Sequence, residues 1–241
     1  SMLIANDMAL ITFLPLGYFV FSTLGDKRQV AFAFILQNIA ANLGGMLTPF
    51  GNPQNLYLYA HYHIPTGEFM GVMLLPFLVA MALVTGCCFL LPRHSLRIDQ
   101  RREDRLPPVR TAAYLLLFAM TILMVFRLLP VWLALGAVIA GLLLLDRRAL
   151  LQVDYGLLCT FVCFFIFSGN MSRLAPVRDF FSRLLQANTL LTAVLSCQVI
   201  SNVPSAILLS QFTDNYAALL RGVNIGGTGT LIASLASLIT F

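Results

Sequence analysis

Two uninterrupted apolar stretches, residues 112–125 and 131–145, constrain this chain more than any other feature of its sequence. A helix needs about 20 apolar residues to cross the hydrocarbon core of a bilayer, whereas the strands of a membrane barrel alternate apolar and polar residues. Hydrophobic residues make up 59% of the chain and charged residues 10%, whereas soluble domains carry about 25% charge. The sequence therefore predicts an all-α polytopic membrane protein and excludes an ordinary soluble or disordered chain.

The net charge of +5 indicates loop orientation rather than nucleic-acid binding. Most of the basic residues lie in residues 25–28, 93–110 and 146–148, which we place in the cytoplasm because Lys and Arg concentrate in cytoplasmic loops. The five cysteines lie inside apolar runs and form no CxxC pair, so we interpret them as buried small side chains. His61 and His63 have no further ligand nearby in sequence, and we interpret them as surface residues.

The apolar segments divide the chain into two comparable halves. The first half, residues 1–92, holds one arm of a hairpin, a broken helix over 29–62 and a span over 68–92. Residues 93–110 form an arginine-rich stretch that we interpret as a cytoplasmic linker. The second half, residues 111–241, holds spans over 111–129, 131–145 and 154–171, a hairpin over 189–212 and a broken helix over 216–241.

The interruptions in the two broken helices match each other. Residues 42–48 (Asn-Leu-Gly-Gly-Met-Leu-Thr) align with residues 224–230 (Asn-Ile-Gly-Gly-Thr-Gly-Thr), so both read Asn-aliphatic-Gly-Gly-x-x-Thr. Two shorter interruptions, at Asn6-Asp7 and at residues 201–204, precede them and also match at an asparagine. Continued at the same offset, the longer alignment sets Gly51, Asn52 and Asn55 opposite Ala233, Ser234 and Ser237.

Paired interruptions of this kind point to a transport site. In hydrocarbon, a helix break is tolerated only against protein or a water-filled cavity. Glycine lets the chain leave the helix, and the half-helix ends, amide oxygens and hydroxyls are ligands for ions. Interrupted segments at corresponding places in two halves are the best sequence indication of a transporter site. The alternative is close helix packing at glycine, which does not require Asn and Thr at matching positions.

These residues resemble the ion transporter superfamily, which includes sodium–dicarboxylate and citrate transporters, arsenical pump membrane proteins and NhaD-type sodium–proton antiporters. Residues 47–55 (Leu-Thr-Pro-Phe-Gly-Asn-Pro-Gln-Asn) are similar to its Thr-Pro-x-Gly-(Asn/Asp)-Pro-x-Asn signature. Residues 5–10 and 201–205 resemble its hairpin tips, and residues 223–227 resemble its second broken helix. The resemblance covers nearly the whole chain, is strongest to the bacterial anion-permease branch, and implies that an N-terminal set of helices and a final helix lie outside this sequence.

The resemblance implies an inverted-repeat transporter with two re-entrant hairpins and two discontinuous helices, which works as a homodimer without a cofactor. It implies one cation site at Asn6, Asp7, Asn42, Gly44, Gly45 and Thr48, and another at Ser201, Asn202, Asn224, Gly226, Gly227 and Thr230. The coupling ion at these sites would be Na⁺ or H⁺. The substrate would lie between the tips, against Asn6, Asp7, Gly51, Asn52, Pro53, Asn55, Ser201, Asn202, Val203, Pro204, Thr228 and Ser234.

We therefore predict a secondary active transporter of the bacterial inner membrane that moves a small anion by alternating access. The anion would be a di- or tricarboxylate or an inorganic oxyanion, coupled to Na⁺ or H⁺. Two alternatives stay open, an arsenite or antimonite efflux permease and a Na⁺/H⁺ antiporter, because the Ala5-Asn6-Asp7 tip resembles the arsenical pump branch rather than the Ser-Asn-Thr of dicarboxylate carriers. An enzyme is not indicated, because no His-Glu-x-x-His motif or Ser/His dyad is evident, and a structural protein or receptor would not need matched breaks.

Asp7 is an ionisable residue at expected membrane depth, where such residues are costly and mark functional sites. We predict that it is a cation ligand or a proton carrier. The alternative is that its carboxylate caps a helix starting near Met8.

Overall fold

The computed structural model describes residues 5–22, 27–90 and 107–240, without the side chains of residues 21 and 22. Within these ranges all regular secondary structure is helical, which confirms the predicted all-α fold. Residues 25 and 26 of the predicted basic loop lie outside the described residues, and so does the predicted linker 93–110 except for residues 107–110. The division of the chain into two halves at that linker therefore stays a prediction.

Helix starts follow from the local sequence. Pro53, Pro108 and Pro176 stand in the first turns of their helices, where an amide hydrogen is not needed. Asp146 and Asn215 begin two others by accepting backbone N–H bonds. The described helices are α1 (Asn6–Ser22), α2 (Lys27–Gly44), α3 (Pro53–His61), α4 (Thr66–Cys88), α5 (Pro108–Val125), α6 (Val131–Leu145), α7 (Arg147–Leu151), α8 (Tyr155–Met171), α9 (Ala175–Ile200), α10 (Asn202–Leu209), α11 (Tyr216–Gly226) and α12 (Leu235–Thr240).

The chain forms two compact units. Ser1–His94 and Val162–Phe241 together make the first, which contains both broken helices. Ser95–Phe161 makes the second, in which α5 packs against α6. The helix predicted over 111–129 ends earlier, at Val125, because Arg127 takes a left-handed conformation (φ 61°) and turns the chain toward α6.

Many large apolar side chains on the described helices are exposed. Lys27–Leu47, Thr66–Cys88 and Pro108–Val125 are each long and apolar enough to cross a bilayer, and the α8–α9 pair, bent by 96°, adds a fourth candidate. Leu75 of α4 is 71% exposed and Leu144 of α6 is 86% exposed. Large apolar surfaces of this kind are unfavourable in water and are covered by a bilayer. The protein is therefore a multi-pass membrane protein.

Close packing of α9 against α11 supports the second broken helix. A Cβ atom on Gly222 of α11 would lie 2.6 Å from the Cβ of Ala193 and 2.8 Å from the carbonyl oxygen of Leu190. Glycine is therefore needed here for the two helices to approach each other. The kink at Asn188 (φ −162°, ψ 98°) divides α9, and the residues of α9 that lie against Gly222 belong to its second part.

We expect Gly222→Ala to lower the free energy of unfolding by about 1–3 kcal/mol, because the added methyl group meets a neighbouring backbone. The matched control is Gly71→Ala in α4, where an added Cβ meets nothing within 4 Å. We expect that variant to be as stable as the wild type or slightly more stable. Thermal unfolding in detergent measures both, and a Gly222→Ala protein of wild-type stability would contradict the role of this glycine.

Candidate functional site

Both predicted broken helices are interrupted in the structure. The chain leaves α2 after Gly44, makes a 3₁₀ turn over Gly45–Leu47 and resumes as α3 at Pro53, so we call residues 45–52 the first break. It leaves α11 after Gly226 and resumes as α12 at Leu235, so we call residues 227–234 the second break. Asn42 and Asn224, predicted to stand at the start of each interruption, lie instead in the last turns of α2 and α11.

Each break is held by the residues at the start of another helix, α1 or α10. We call residues 5–7 the first tip and residues 201–203 the second tip. The backbone N–H of Asn6 donates to the carbonyl oxygen of Gly51 at 3.1 Å, and that of Asn202 donates to the carbonyl oxygen of Ala233 at 2.8 Å. Gly51 and Ala233 are opposite each other in the sequence alignment. The two tip–break pairs are therefore built alike.

Side-chain amides join each break to the helix that precedes the other break. Asn6 Nδ2 donates to Asn42 Oδ1 at 3.1 Å, and Asn42 Nδ2 donates to Ser234 Oγ in the second break at 3.3 Å. In the matching contact, Asn52 Nδ2 in the first break donates to Asn224 Oδ1 in α11 at 3.0 Å. The two contacts are equivalent to each other in the alignment, because Asn52 is opposite Ser234 and Asn42 is opposite Asn224.

Asn224 makes four side-chain hydrogen bonds in this network. Its Nδ2 donates to Asn55 Oδ1 at 2.6 Å and to the carbonyl oxygen of Leu220 at 2.8 Å. Its Oδ1 accepts from Asn52 and, at 3.4 Å, from Gln54 Nε2. The carbonyl of Leu220 fixes which end of the amide is the nitrogen, since a carbonyl can only accept. Asn224 therefore ties the last turn of α11 to the start of α3.

Asp7 lies in the first turn of α1 and supplies the carboxylate of the first tip. Its backbone N–H donates to Asn6 Oδ1 at 2.9 Å, and its Oδ1 atom is buried without a hydrogen-bond partner. Because α1 begins at Asn6, the alternative that Asp7 caps a helix starting near Met8 is wrong. Val203 takes the corresponding place after Asn202, whose Oδ1 accepts the Val203 N–H at 2.9 Å. Only one tip therefore carries an acid.

Buried side-chain atoms without a partner are all oxygens in the part of the chain that the structure describes. They are Asp7 Oδ1, Gln37 Oε1, Asn52 Oδ1 and Gln54 Oε1. A buried polar atom that stays unsatisfied costs about 1–3 kcal/mol. Asn52 Nδ2 donates to the carbonyl oxygen of Asn42 at 2.9 Å, which fixes the orientation of that amide. The first tip and first break therefore hold a surplus of acceptors, which a donor or a cation can satisfy.

The remaining predicted residues of the first half line its break. The carbonyl oxygens of Gly45 and Thr48 each lie 3.3 Å from Asn55 Nδ2. Gly44 ends α2, and Pro53 opens α3. The backbones of Gly45 and Gly51 pass so closely that a Cβ atom on either glycine would collide with the part of the break that contains the other. These glycines are therefore required for the close approach.

The predicted residues of the second half are more dispersed. Ser201 takes a left-handed conformation (φ 73°), and its Oγ donates to the carbonyl oxygen of Ala233 at 3.4 Å. A Cβ on Gly227 would lie 2.7 Å from Asn202 Nδ2, so this glycine lets the tip approach the break. Pro204 lies in the first turn of α10. Thr228 is half-buried, and its hydroxyl donates to the carbonyl oxygen of Ile225 rather than to the network.

Four polar residues of the site were not predicted from the sequence. Gln54 is buried against Asn224, and Asn38 Nδ2 donates to Ser237 Oγ at 3.2 Å. Gln198 spans the second break: its Nε2 donates to the carbonyl oxygen of Gly226 at 2.7 Å, and its Oε1 accepts the Thr230 N–H at 2.8 Å. Each is a polar side chain inside an otherwise apolar helix or beside a break. A polar residue at such a position was the sequence signal by which these site residues could have been found.

Two tips and two breaks joined through buried amides, in a multi-pass helical protein, define the class of membrane proteins built around two discontinuous helices. The chain matches the family described as citrate transporter over residues 1–239, and it belongs to that family. This membership confirms the resemblance to the ion transporter superfamily.

Two curated proteins are similar to the chain along almost its whole length. The uncharacterized transporter MJ0456 of Methanocaldococcus jannaschii is 34% identical over 243 residues, which cover 100% of this chain and 66% of that protein. The inner membrane protein YbiR of Escherichia coli is 31% identical over 249 residues, which cover 99% of this chain and 65% of that protein. The chain therefore spans just under two thirds of the length of these relatives.

Proposed function

We propose that the protein is a secondary active transporter that moves a small anion by alternating access, coupled to Na⁺ or H⁺. The family described as citrate transporter supports a di- or tricarboxylate as the anion, with an inorganic oxyanion as the other member of the class. The relative named as an inner membrane protein supports a place in the bacterial inner membrane. An inverted arrangement of the two halves, and a homodimer, belong to the proposal on the strength of the family resemblance.

One observation carries the proposal: Asp7 Oδ1 in the first tip and Asn52 Oδ1 in the first break are buried and have no donor. Neither tip and neither break contains a Lys, Arg or His residue. An anion cannot bind beside unpartnered carboxamide and carboxylate oxygens until a positive charge has reached them, because a buried charge needs a partner. Cation binding therefore completes the anion site, and the anion in turn strengthens cation binding by the same factor.

The Na⁺/H⁺ antiporter remains a second candidate because of Asp7. Its carboxylate has a buried, unpartnered oxygen at the first tip, and no second acid stands at the corresponding place of the second tip. A single carboxylate that binds either Na⁺ or H⁺ is sufficient for exchange of the two cations. The arsenite or antimonite permease is supported only by the resemblance of the Ala5-Asn6-Asp7 tip.

A thermal-shift screen of the full-length protein tests these functions. Citrate, succinate, arsenite, phosphate and sulfate are each added with and without Na⁺, and at two pH values. We expect one anion to raise the melting temperature only when the coupling ion is present, since a ligand at about 100 times its Kd stabilises by about 2.7 kcal/mol. Uptake of that anion into proteoliposomes is the confirming measurement.

The other outcomes separate the alternatives. Stabilisation by arsenite alone would support the efflux permease, and stabilisation by Na⁺ and pH without any anion would support the antiporter. A protein that responds to none of the ions, and that moves none of them in vesicles, would contradict transport altogether.

A further inference from the structure

Pro76 interrupts the hydrogen bonding of α4, a helix that is long and apolar enough to cross the bilayer. Proline has no N–H, and its ring clashes with the carbonyl of the residue four positions earlier. That carbonyl belongs to Val72, which therefore cannot form the ordinary helical bond to residue 76. In a membrane protein, a carbonyl freed in this way is tolerated when another group of the protein donates to it.

The side chain of Arg221 donates to the carbonyl that Pro76 frees. Arg221 Nε lies 3.2 Å from the carbonyl oxygen of Val72, and Arg221 is the only charged residue of α11. An arginine within an apolar helix is unfavourable unless it has a partner. A hydrogen bond from a charged donor is about twice as strong as one between neutral groups. The freed carbonyl and the guanidinium group therefore satisfy each other.

A second polar contact joins the same two helices one turn away. The hydroxyl of Tyr216 in α11 donates to a carboxylate oxygen of Glu68 in α4. Glu68 lies one turn before Val72, and both contacts follow the same order along the two chains. The helices α4 and α11 therefore run parallel where they meet. A single contact would let α11 pivot or slide on α4, whereas two contacts a turn apart fix its register.

Both helices also contact the first broken helix. α4 packs against α2 and against the 3₁₀ turn of the first break, with Phe69 and Met73 fully buried. On α11, Asn224 follows Arg221 by three residues, and its amide donates to Asn55. The position of Asn224 relative to the first break therefore depends on the contact that Arg221 makes with α4.

We propose that Arg221 is a positioning residue, which holds α11 in the register where Asn224 meets the first break. The carbonyl freed by Pro76 is its point of attachment on α4. The two broken helices are thus linked twice, directly through the amides and indirectly through α4. This inference rests on the proposed function, because it assigns Arg221 to the alignment of the transport site and not to binding of the anion.

Hydrogen–deuterium exchange of the second break, residues 227–234, tests this role in the full-length protein. Several N–H groups of this segment are hydrogen-bonded, so their exchange reports local opening. We expect Arg221→Met to raise their exchange rate about tenfold, because the methionine keeps an apolar stem but cannot donate. Arg221→Lys can still donate to the carbonyl and should restore most of the protection. Arg178→Met in α9 is the matched control, since that arginine is exposed and lies outside both tips and both breaks.

The freed carbonyl is tested with Pro76→Ala. Alanine supplies the N–H that the Val72 carbonyl lacks, so the carbonyl turns back into its own helix. We expect a smaller rise in exchange of residues 227–234 from this change alone, and we expect Arg221→Met to add little to it. Pro76→Ala decides the question if Arg221→Met does not fold.

Three results would overturn the inference. They are unchanged exchange in Pro76→Ala, equal effects of Arg221→Met with and without Pro76, and a lysine variant that exchanges as fast as the methionine variant. Exchange that rises equally in α5 would also overturn it, because the proposed effect is local to the contact between α4 and α11.

Uptake of radiolabelled citrate into proteoliposomes separates positioning from anion binding. We expect Arg221→Met to lower the maximal rate about tenfold and to leave KM unchanged. A raised KM at an unchanged maximal rate would overturn the inference and assign Arg221 to the anion site. A wild type that takes up neither citrate nor any other screened anion would contradict the proposed function, and the exchange measurements would still decide the role of Arg221.

Discussion

Replacement of Asn224 by leucine is expected to abolish cation-coupled transport and to lower the free energy of unfolding by about 2–5 kcal/mol. Leucine has a similar size but neither donates nor accepts. It leaves Asn55 Oδ1 and Gln54 Nε2 without their observed partners and removes one of the two acceptors of Asn52 Nδ2. All three side chains are at most 1% exposed, so water cannot compensate. Uptake into proteoliposomes and thermal unfolding measure the two effects.

The matched control for this change is Asn170→Leu in α8, where the side chain is exposed. We expect wild-type stability and uptake from that variant. Asn224→Asp keeps the shape and the acceptor but removes the donor to Asn55, so it should lose coupling while it stays closer to wild-type stability. An Asn224→Leu protein that transports at the wild-type rate would show that the amide network does not link the two breaks functionally.

The second large effect is expected from Asp7→Asn, which removes the charge of the first tip and retains its shape. The Asp7 carboxylate has one buried oxygen without a partner, and a cation is the natural partner for it. We expect the affinity for the coupling cation to fall about 100-fold, which corresponds to about 2.7 kcal/mol. The measurement is uptake as a function of Na⁺ concentration and of pH, in vesicles that contain the full-length protein.

Asp179→Asn in α9 is the matched control, because this aspartate is exposed and lies outside both tips and both breaks. It should retain the Na⁺ and pH dependence of the wild type. If Asp7→Asn retains them too, Asp7 is not a coupling residue. If Asp7→Asn loses the pH dependence but not the Na⁺ dependence, the carboxylate carries a proton and Na⁺ binds elsewhere.

Much of the fold could be predicted from the sequence because the relevant signals are local. Continuous apolar runs predicted the membrane helices, since each segment inside a bilayer must form all of its backbone hydrogen bonds within the protein. Gly44-Gly45 and Gly226-Gly227 marked both interruptions to within a few residues, because glycine and proline act on the backbone where they stand. The positions of helix ends were harder to predict. The end of α5 at Val125 depends on the left-handed conformation of Arg127, which no neighbouring residue in the sequence predicts.

The sequence named residues of the tips and breaks but not the contacts between them. The alignment of the two halves set Asn42 opposite Asn224 and Asn52 opposite Ser234, and the structure joins these positions crosswise. Composition alone could not show that Thr228 points away from the network. Gln54 was passed over because its neighbours in the signature carried the resemblance, although it is buried against Asn224.

The sequence by itself determined that the chain is helical, that it lies in a membrane and that each half unwinds at an Asn-aliphatic-Gly-Gly segment, because hydropathy and backbone freedom belong to single residues and their neighbours. Only the tertiary structure decided which acceptors receive a donor and which, such as Asn52 Oδ1 and Asp7 Oδ1, are buried without one. It also decided that the Asn55 amide donates to main-chain carbonyls of the first break. Hydrogen-bond partners far apart in sequence meet only when helices pack, so their pairing cannot be derived from either segment alone.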